Sequence, residues 1–243
     1  MAKYYIKEHE AGYQRIRAEG KTNWDQLHEP SSFDDFSMRP TLEWALPLLH
    51  SSVSQPRTLE YGCGTGPGAC LLAERGFRVD GIDISPVAIE LARELAAQRG
   101  LNVNYAVADI CELPAPDTVY DLIVDSFCLQ CIVTDSDRAK VFAAVRSRLE
   151  PHGYYLIGTA IFSGDRSYGD GLFDEDTGVV YTKLEPDDGT FEDIVERPDG
   201  LHLPNRRHLK PHVLIGKLEE AGFKTLRHRE EGGGMGLICG RAD

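Results

Sequence analysis

The chain has 243 residues, 42% of them hydrophobic and 27% charged, enough to bury the core of one enzyme-sized domain without disulfides or a structural metal. Its formal charge of −13 and pI near 5.1 would repel a phosphate backbone and argue against nucleic acid as a partner. The six cysteines, at 63, 70, 111, 128, 131 and 239, are scattered. With no signal peptide and no apolar run of membrane-spanning length, they read as reduced thiols of a cytoplasmic protein without a membrane partner.

Residues 3–20 read as a polar helix ended by Gly20, followed by Thr22-Asn23-Trp24-Asp25 and a Pro/Ser/Asp stretch. Pro40 suits the first turn of a helix running to about residue 50, because proline lacks only an N–H that would be orphaned there. From residue 57 strands and helices alternate: strand 57–61, helix 68–75, strand 77–82, then a helix capped by Ser85, opened by Pro86 and running to residue 98. Strands 103–107 and 120–125 follow, then helix 136–149 and strand 154–161 after the turn Pro151-His152-Gly153. This alternation predicts an α/β fold whose parallel sheet carries helices on both faces.

The last third breaks the rhythm. About 35 Gly- and Asp-rich residues precede strand-like 191–195 and 201–203, a helix over 211–221, and strands 224–229 and 236–240 around Gly232-Gly233-Gly234. That short connection makes the final pair antiparallel. From Asp165 to Asp199, twelve acidic residues face three basic ones, either as a solvated flap or as a field that draws an amine-bearing ligand. Cys128-x-x-Cys131 lacks a second pair at zinc spacing and His208/His212 lack a third ligand, so no metal site is expected.

The richest stretch is Leu59-Glu60-Tyr61-Gly62-Cys63-Gly64-Thr65-Gly66, glycines at alternate positions between a strand and a helix. Such a loop lets a ligand approach the backbone while the next helix offers free N–H groups. The spacing is G-x-G-x-G, not the dehydrogenase G-x-G-x-x-G, and Glu60 precedes it. In these residues the chain resembles the class I S-adenosylmethionine-dependent methyltransferases, over about residues 56–241. The turn Leu149-Glu150-Pro151-His152-Gly153 is similar to another of their motifs, with His152 where glycine is usual.

The resemblance implies a Rossmann-like, mostly parallel seven-stranded sheet of order 3-2-1-4-5-7-6 with its last strand antiparallel. S-adenosyl-L-methionine is the implied cofactor and S-adenosyl-L-homocysteine its product. Glu60, Gly62, Cys63, Gly64 and Gly66 then form the cofactor loop. Asp83 after strand two accepts from the ribose, Asp109 after strand three from the adenine amino group, Ile84 and Ile110 flank the purine, and Asp125 closes strand four. Glu19-Gly20-Lys21-Thr22-Asn23-Trp24-Asp25 is similar to a segment of thiopurine- and tellurite-resistance-type methyltransferases, which places Trp24 beside the cofactor. Arg39 is a candidate partner for the methionine carboxylate.

For the acceptor, Tyr13, Gln130 and His208 are candidate catalytic orienters, and Tyr5 (or Tyr4), Phe127, Phe162, Tyr168 and Arg206 candidate substrate contacts. Residues 1–52 read as a helical lid, and 53–243 as the catalytic domain with the acidic excursion at about 162–205 over the acceptor side. Asp125-Ser126-Phe127 is not the N-P-P-Y type used on nucleic acid or protein glutamine. The expectation is a monomer or homodimer that N-methylates a small amine, amino acid or natural-product intermediate by in-line transfer. The alternatives are S- or O-methylation of a small thiol, halide-like or phenolic acceptor, an NAD-dependent oxidoreductase, and a non-catalytic cofactor-binding subunit.

Overall fold

In a computed structural model, which describes residues 2–50, 53–164, 166–185 and 189–242, the central strands form where apolar runs meet turn signals. They are β1 (Arg57–Tyr61), β2 (Arg78–Asp83), β3 (Asn104–Val107), β4 (Tyr120–Ser126) and β5 (Leu149–Ala160), all parallel. Helices α3 (Pro67–Glu74), α4 (Pro86–Gln98) and α5 (Asp135–Arg148) connect them, α4 capped by the Ser85 hydroxyl accepting from Ala88 N–H. Near the C-terminus, α6 (Pro211–Glu220) leads into β10 (Phe223–Glu231) and β11 (Gly234–Arg241), and β11 inserts antiparallel between β5 and β10. The sheet order β3-β2-β1-β4-β5-β11-β10 is the expected 3-2-1-4-5-7-6.

Alternation along the strands sorts the core into two faces. Tyr61, Ile123, Tyr155 and Ile157 pack with Val141, Phe142, Leu214 and Leu218 of α5 and α6. On the other face Leu122, Val124 and Leu156 meet Leu72 of α3, Ile89 of α4, and Leu42 and Ala45 of α2 (Arg39–Ala45). The N-terminal α1 (Ile6–Ala18) lies on α4 through Tyr13, Ile16 and Ala88. It ends as read, with Gly20 at φ 64° and Lys21 N–H donating to Ile16 O.

Three elements depart from the expectations. The helix expected from Pro40 to about residue 50 stops at Ala45 and tightens into a 3₁₀ turn over Leu46–Leu48, because Pro47 cannot continue the ladder. β5 begins at Leu149, not 154, with the Pro151-His152-Gly153 segment taken up by a register shift between its pairings to Tyr120 and Leu122.

The third departure is the excursion. It is a second, antiparallel sheet of order β6-β7-β9-β8, built from β6 (Leu172–Asp174), β7 (Val179–Lys183), β8 (Val195–Arg197) and β9 (Gly200–Arg207). In the β6–β7 turn the Asp174 carboxylate accepts from Asp176 and Thr177 N–H, and Gly178 sits at φ 73°. Phe191, expected in a strand, makes only one bridge, to Ala2. Asp165, Asp187 and Asp188 of the acidic excursion, and Ser52 at the expected lid boundary, lie outside the described residues. Among the described residues no helix is long and apolar enough to cross a membrane.

Candidate functional site

The carboxyl ends of β1, β2, β3 and β4 open into a cleft of about 1210 Å³ of atom-free space, its mouth included. That is where ligands bind in open α/β sheets. The glycine loop forms its floor. Gly62 and Gly64 have φ of 63° and 55°, a region costly for other residues. A Cβ on Gly64 would stand 2.7 Å from the Tyr13 hydroxyl, and one on Gly62 would collide with Cys128. The loop therefore presents bare backbone to the cleft.

Three carboxylates surround that backbone. Asp83 at the end of β2 is 6% exposed, and its oxygens accept from Gly64 N–H and Ser85 N–H, both at 2.9 Å. Asp109 after β3 accepts from Cys111 N–H at 2.8 Å and from the Tyr5 hydroxyl at 2.6 Å. Glu60 in β1 is 1% exposed, with one oxygen accepting from the Ser126 hydroxyl and the other, Oε2, lacking any hydrogen-bond partner among the described residues. Burial pushes the Glu60 carboxyl up to about 7. An orphaned buried carboxylate oxygen beside a glycine cradle is what a cationic ligand group would satisfy.

The opposite wall comes from α1 and β9. Tyr5, His9, Tyr13 and Trp24 line it, with Trp24 packed on the bare backbone of Gly12, stacked on His9 at 5.4 Å and edge-on to Tyr13 at 5.2 Å. Arg206 of β9 reaches the cleft and makes a two-pronged ion pair with Glu8 of α1, at 2.8 and 2.9 Å. Lys3 pairs with Glu192 at 3.0 Å and the Tyr4 hydroxyl accepts from Val133 N–H at 2.7 Å, so the N-terminal segment is tied to the connection before β8 and to the one between β4 and α5. The Thr65 hydroxyl donates to Thr22 O, joining that segment to the glycine loop.

After β4 the chain turns sharply, and Phe127 takes a left-handed φ of 59° at the cleft wall. Gln130 lines the cleft with its Oε1 accepting from Ala160 N–H at 2.9 Å, which commits the amide oxygen and not the NH₂ donors to β5.

Fourteen of the twenty candidate residues meet at this one cleft: Tyr5, Tyr13, Trp24, Glu60, Gly62, Cys63, Gly64, Asp83, Ile84, Asp109, Ile110, Phe127, Gln130 and Arg206. Six do not line it. Gly66 turns the backbone behind the loop at φ 85°, against Tyr105. Asp125 is fully buried and accepts from Cys128 and Leu129 N–H, so it holds the turn and does not face a ligand. Arg39 pairs with Glu43 at 2.9 Å and donates to Asp34 O outside the cleft.

His208, Phe162 and Tyr168 belong to an aromatic stack beyond the cleft. Phe173 lies between Phe162 (5.2 Å) and Tyr168 (4.4 Å), and Tyr168 leans on His208. Burial and the neighbouring Arg166 push the His208 imidazole down to about 3. His9, Asn23, Asp25 and Thr65 line the cleft without having been singled out from the sequence. An i, i+4, i+8 run of Tyr5, His9 and Tyr13 on one helical face was the available signal.

Residues 58–153 match the protein family described as "Methyltransferase domain". The chain is 42% identical over 82 residues, 33% of its length, to the 2-heptyl-1-hydroxyquinolin-4(1H)-one methyltransferase of Mycobacteroides abscessus. It is 31% identical over 130 residues, 52% of its length, to the ubiquinone biosynthesis O-methyltransferase of Rickettsia conorii. The matches span 36% and 44% of these relatives, less than half of either. Among solved structures, the CcbJ methyltransferase from Streptomyces caelestis superposes with a TM-score of 0.69 at 17% identity, over 90% of this chain and 96% of that one. The chain thus has the methyltransferase fold, including the antiparallel strand between the fifth and sixth parallel ones.

Proposed function

We propose that the protein is an S-adenosylmethionine-dependent methyltransferase acting on a small molecule. The observation that carries this is the ring of Glu60, Asp83 and Asp109 at successive strand ends around a bare glycine backbone, in a chain that matches the methyltransferase domain. Glu60 Oε2 would take the cofactor's ammonium, Asp83 its ribose hydroxyls and Asp109, alongside Tyr5, its adenine amino group. Ile84 and Ile110 would flank the purine. Bound there, S-adenosylmethionine supplies a methyl group on a sulfonium, suited to in-line displacement.

The chain's own residues then position the acceptor and exclude water. Tyr13 of α1 and Trp24 in the segment after it cover the cleft, Gln130 offers donors, and the Glu8–Arg206 pair holds the cap shut. The likeness of residues 19–25 to the thiopurine- and tellurite-type segment supports reading α1 as this cap. A nitrogen acceptor is favoured by the acid-rich second sheet, which would draw an amine towards the cleft. A second reading, transfer to a hydroxyl oxygen, is favoured by the O-methyltransferase name of the Rickettsia relative. The dehydrogenase alternative fits poorly, because its sheet carries no antiparallel strand in this place and its loop spacing differs.

Calorimetric titration with S-adenosylmethionine, S-adenosylhomocysteine and NAD tests the reading. Micromolar binding of the two adenosyl ligands is expected; binding of NAD alone would overturn it. Methyl transfer from isotope-labelled cofactor to matched amine and phenol panels then separates nitrogen from oxygen.

A further inference from the structure

Among the described residues, His9 is the one imidazole that lines the cleft. Its Nδ1 lies 2.6 Å from the backbone oxygen of Tyr5. A carbonyl only accepts, so Nδ1 must carry the hydrogen, and in the neutral ring Nε2 is left with a bare lone pair. The ring is clamped between this bond and the Trp24 face. It is therefore fixed in both tautomer and orientation, the two conditions a general base must meet before its pKa matters.

From this geometry we infer that His9 Nε2 is the general base of the acceptor site, and hence that the acceptor's nucleophile arrives bearing a proton, as an ammonium or a hydroxyl. The inference rests on the methyltransferase reading above. The step balances without a further reactant. The N–H (or O–H) bond of the acceptor breaks to give its proton to Nε2, and its electron pair stays on the nucleophile. That pair forms the new bond to the methyl carbon as the carbon–sulfur bond breaks onto sulfur. The imidazolium later releases its proton to solvent.

The surroundings keep the base unprotonated. Burial lowers the imidazole below its ordinary value, and the Arg206 guanidinium from β9 lowers it further. Glu8 on α1 and Asp83 at the end of β2 oppose them, acting to raise it. Tyr5 and Tyr13 on α1 and Trp24 and His28 beside it complete the ring's neighbourhood. An ammonium entering this pocket meets the same burial and the same guanidinium, which lower its own pKa towards that of the base.

Two measurements test the inference. The first needs no acceptor: nitrogen-detected NMR of histidine-labelled protein saturated with S-adenosylhomocysteine, with His9 assigned by loss of its signal in His9→Gln. The expected result is a neutral ring at pH 7 with the hydrogen on Nδ1, and a shift of its signals when the ligand binds. A protonated ring, the other tautomer, or no response to the ligand would overturn the inference. The second compares His9→Gln with the parent on an acceptor from the panels. Unchanged S-adenosylhomocysteine affinity shows that the variant is folded, and kcat should fall about 100-fold with loss of the acid limb of the pH profile. Unchanged kcat would sink the base. Failure of the adenosyl ligands to bind the parent would instead sink the methyltransferase reading, and so the two failures are distinguishable.

Discussion

The two walls of the cleft are built in opposite ways. On the proposed cofactor side two of the three carboxylates are held by backbone N–H groups, Asp109 by Cys111 two residues on, Asp83 by Ser85 two residues on and by Gly64 nineteen before, while Glu60 accepts from the Ser126 hydroxyl. On the proposed acceptor side the wall is joined through side chains to partners far along the chain, with Glu8 and Arg206 separated by 198 residues and the Tyr4 hydroxyl and Val133 N–H by 129. Short-range backbone bonds make a rigid site that tolerates few substitutions. Long-range side-chain pairs make a wall that can loosen without unfolding the sheet, since exposed ion pairs contribute little to stability.

The largest expected effect follows from the rigid side. Asp83→Ala removes the acceptor for two backbone N–H groups and the proposed ribose contact together. Affinity for S-adenosylhomocysteine should fall about 100-fold, roughly 3 kcal/mol, by calorimetry. A loss below about threefold would place the cofactor elsewhere and erase the contrast between the walls.

Next comes the pH dependence of that same wall. With its carboxyl pushed up to about 7, Glu60 is mostly protonated at pH 6 and mostly ionised at pH 8. If the ionised form holds the cofactor's ammonium, affinity should rise about tenfold between those values. Stability runs the other way. The folded state keeps this proton after the unfolded chain has released it, so stability declines as pH rises from the ordinary carboxylate range to about 7. Asp125, also raised to about 7 by burial, has the same sign. Glu60→Gln should therefore raise the Tm of the ligand-free protein at pH 8 while flattening the pH dependence of binding, measured by calorimetry and thermal denaturation.

The adaptable wall should give a smaller effect of a different kind. Glu8→Gln removes one half of a pair whose side chains are 46% and 18% exposed. Loss of the pair should cost about 1 kcal/mol or less. The expected outcome is a rise of about threefold in acceptor KM, with S-adenosylhomocysteine affinity unchanged. A matching loss of cofactor affinity would mean that the two walls are one unit.

The same contrast explains what could be read from the sequence. The glycine loop, Asp83 and Asp109 follow strands whose ends are marked by local pattern, so both the sheet order and the meeting of these residues at one cleft were legible. Asp125 shared that signature but is buried behind its own turn, because the strand ends one residue later, at Ser126, and Ser126 faces Glu60 in its place. His9 was missed and His208 chosen for a single reason: which histidine faces the cleft depends on how α1 docks and where β9 runs. The β6–β7 hairpin was hidden in acid-rich sequence, its strands short and its pairing partner some 25 residues further on.

The smallest expected effect is at the residues that the sequence favoured and the fold moved aside. Arg39 is paired to Glu43 on the outer face of α2, and His208 accepts from Arg166 at 3.2 Å within the aromatic stack. Arg39→Gln and His208→Gln should each leave cofactor affinity and kcat within about twofold, because neither touches the cleft and exposed pairs such as Arg39–Glu43 contribute under about 1 kcal/mol. His208→Gln is the sharper of the two. Its imidazole is buried neutral with its pKa down at about 3, so the unfolded chain gains a proton below pH 6.5 that the folded one refuses. Stability should then drop as the parent is acidified from pH 6.5 towards pH 4, and the drop should shrink in the variant. Loss of turnover in His208→Gln with binding intact would mean that the stack beyond the cleft swings inward during the reaction, making the second sheet part of the active wall.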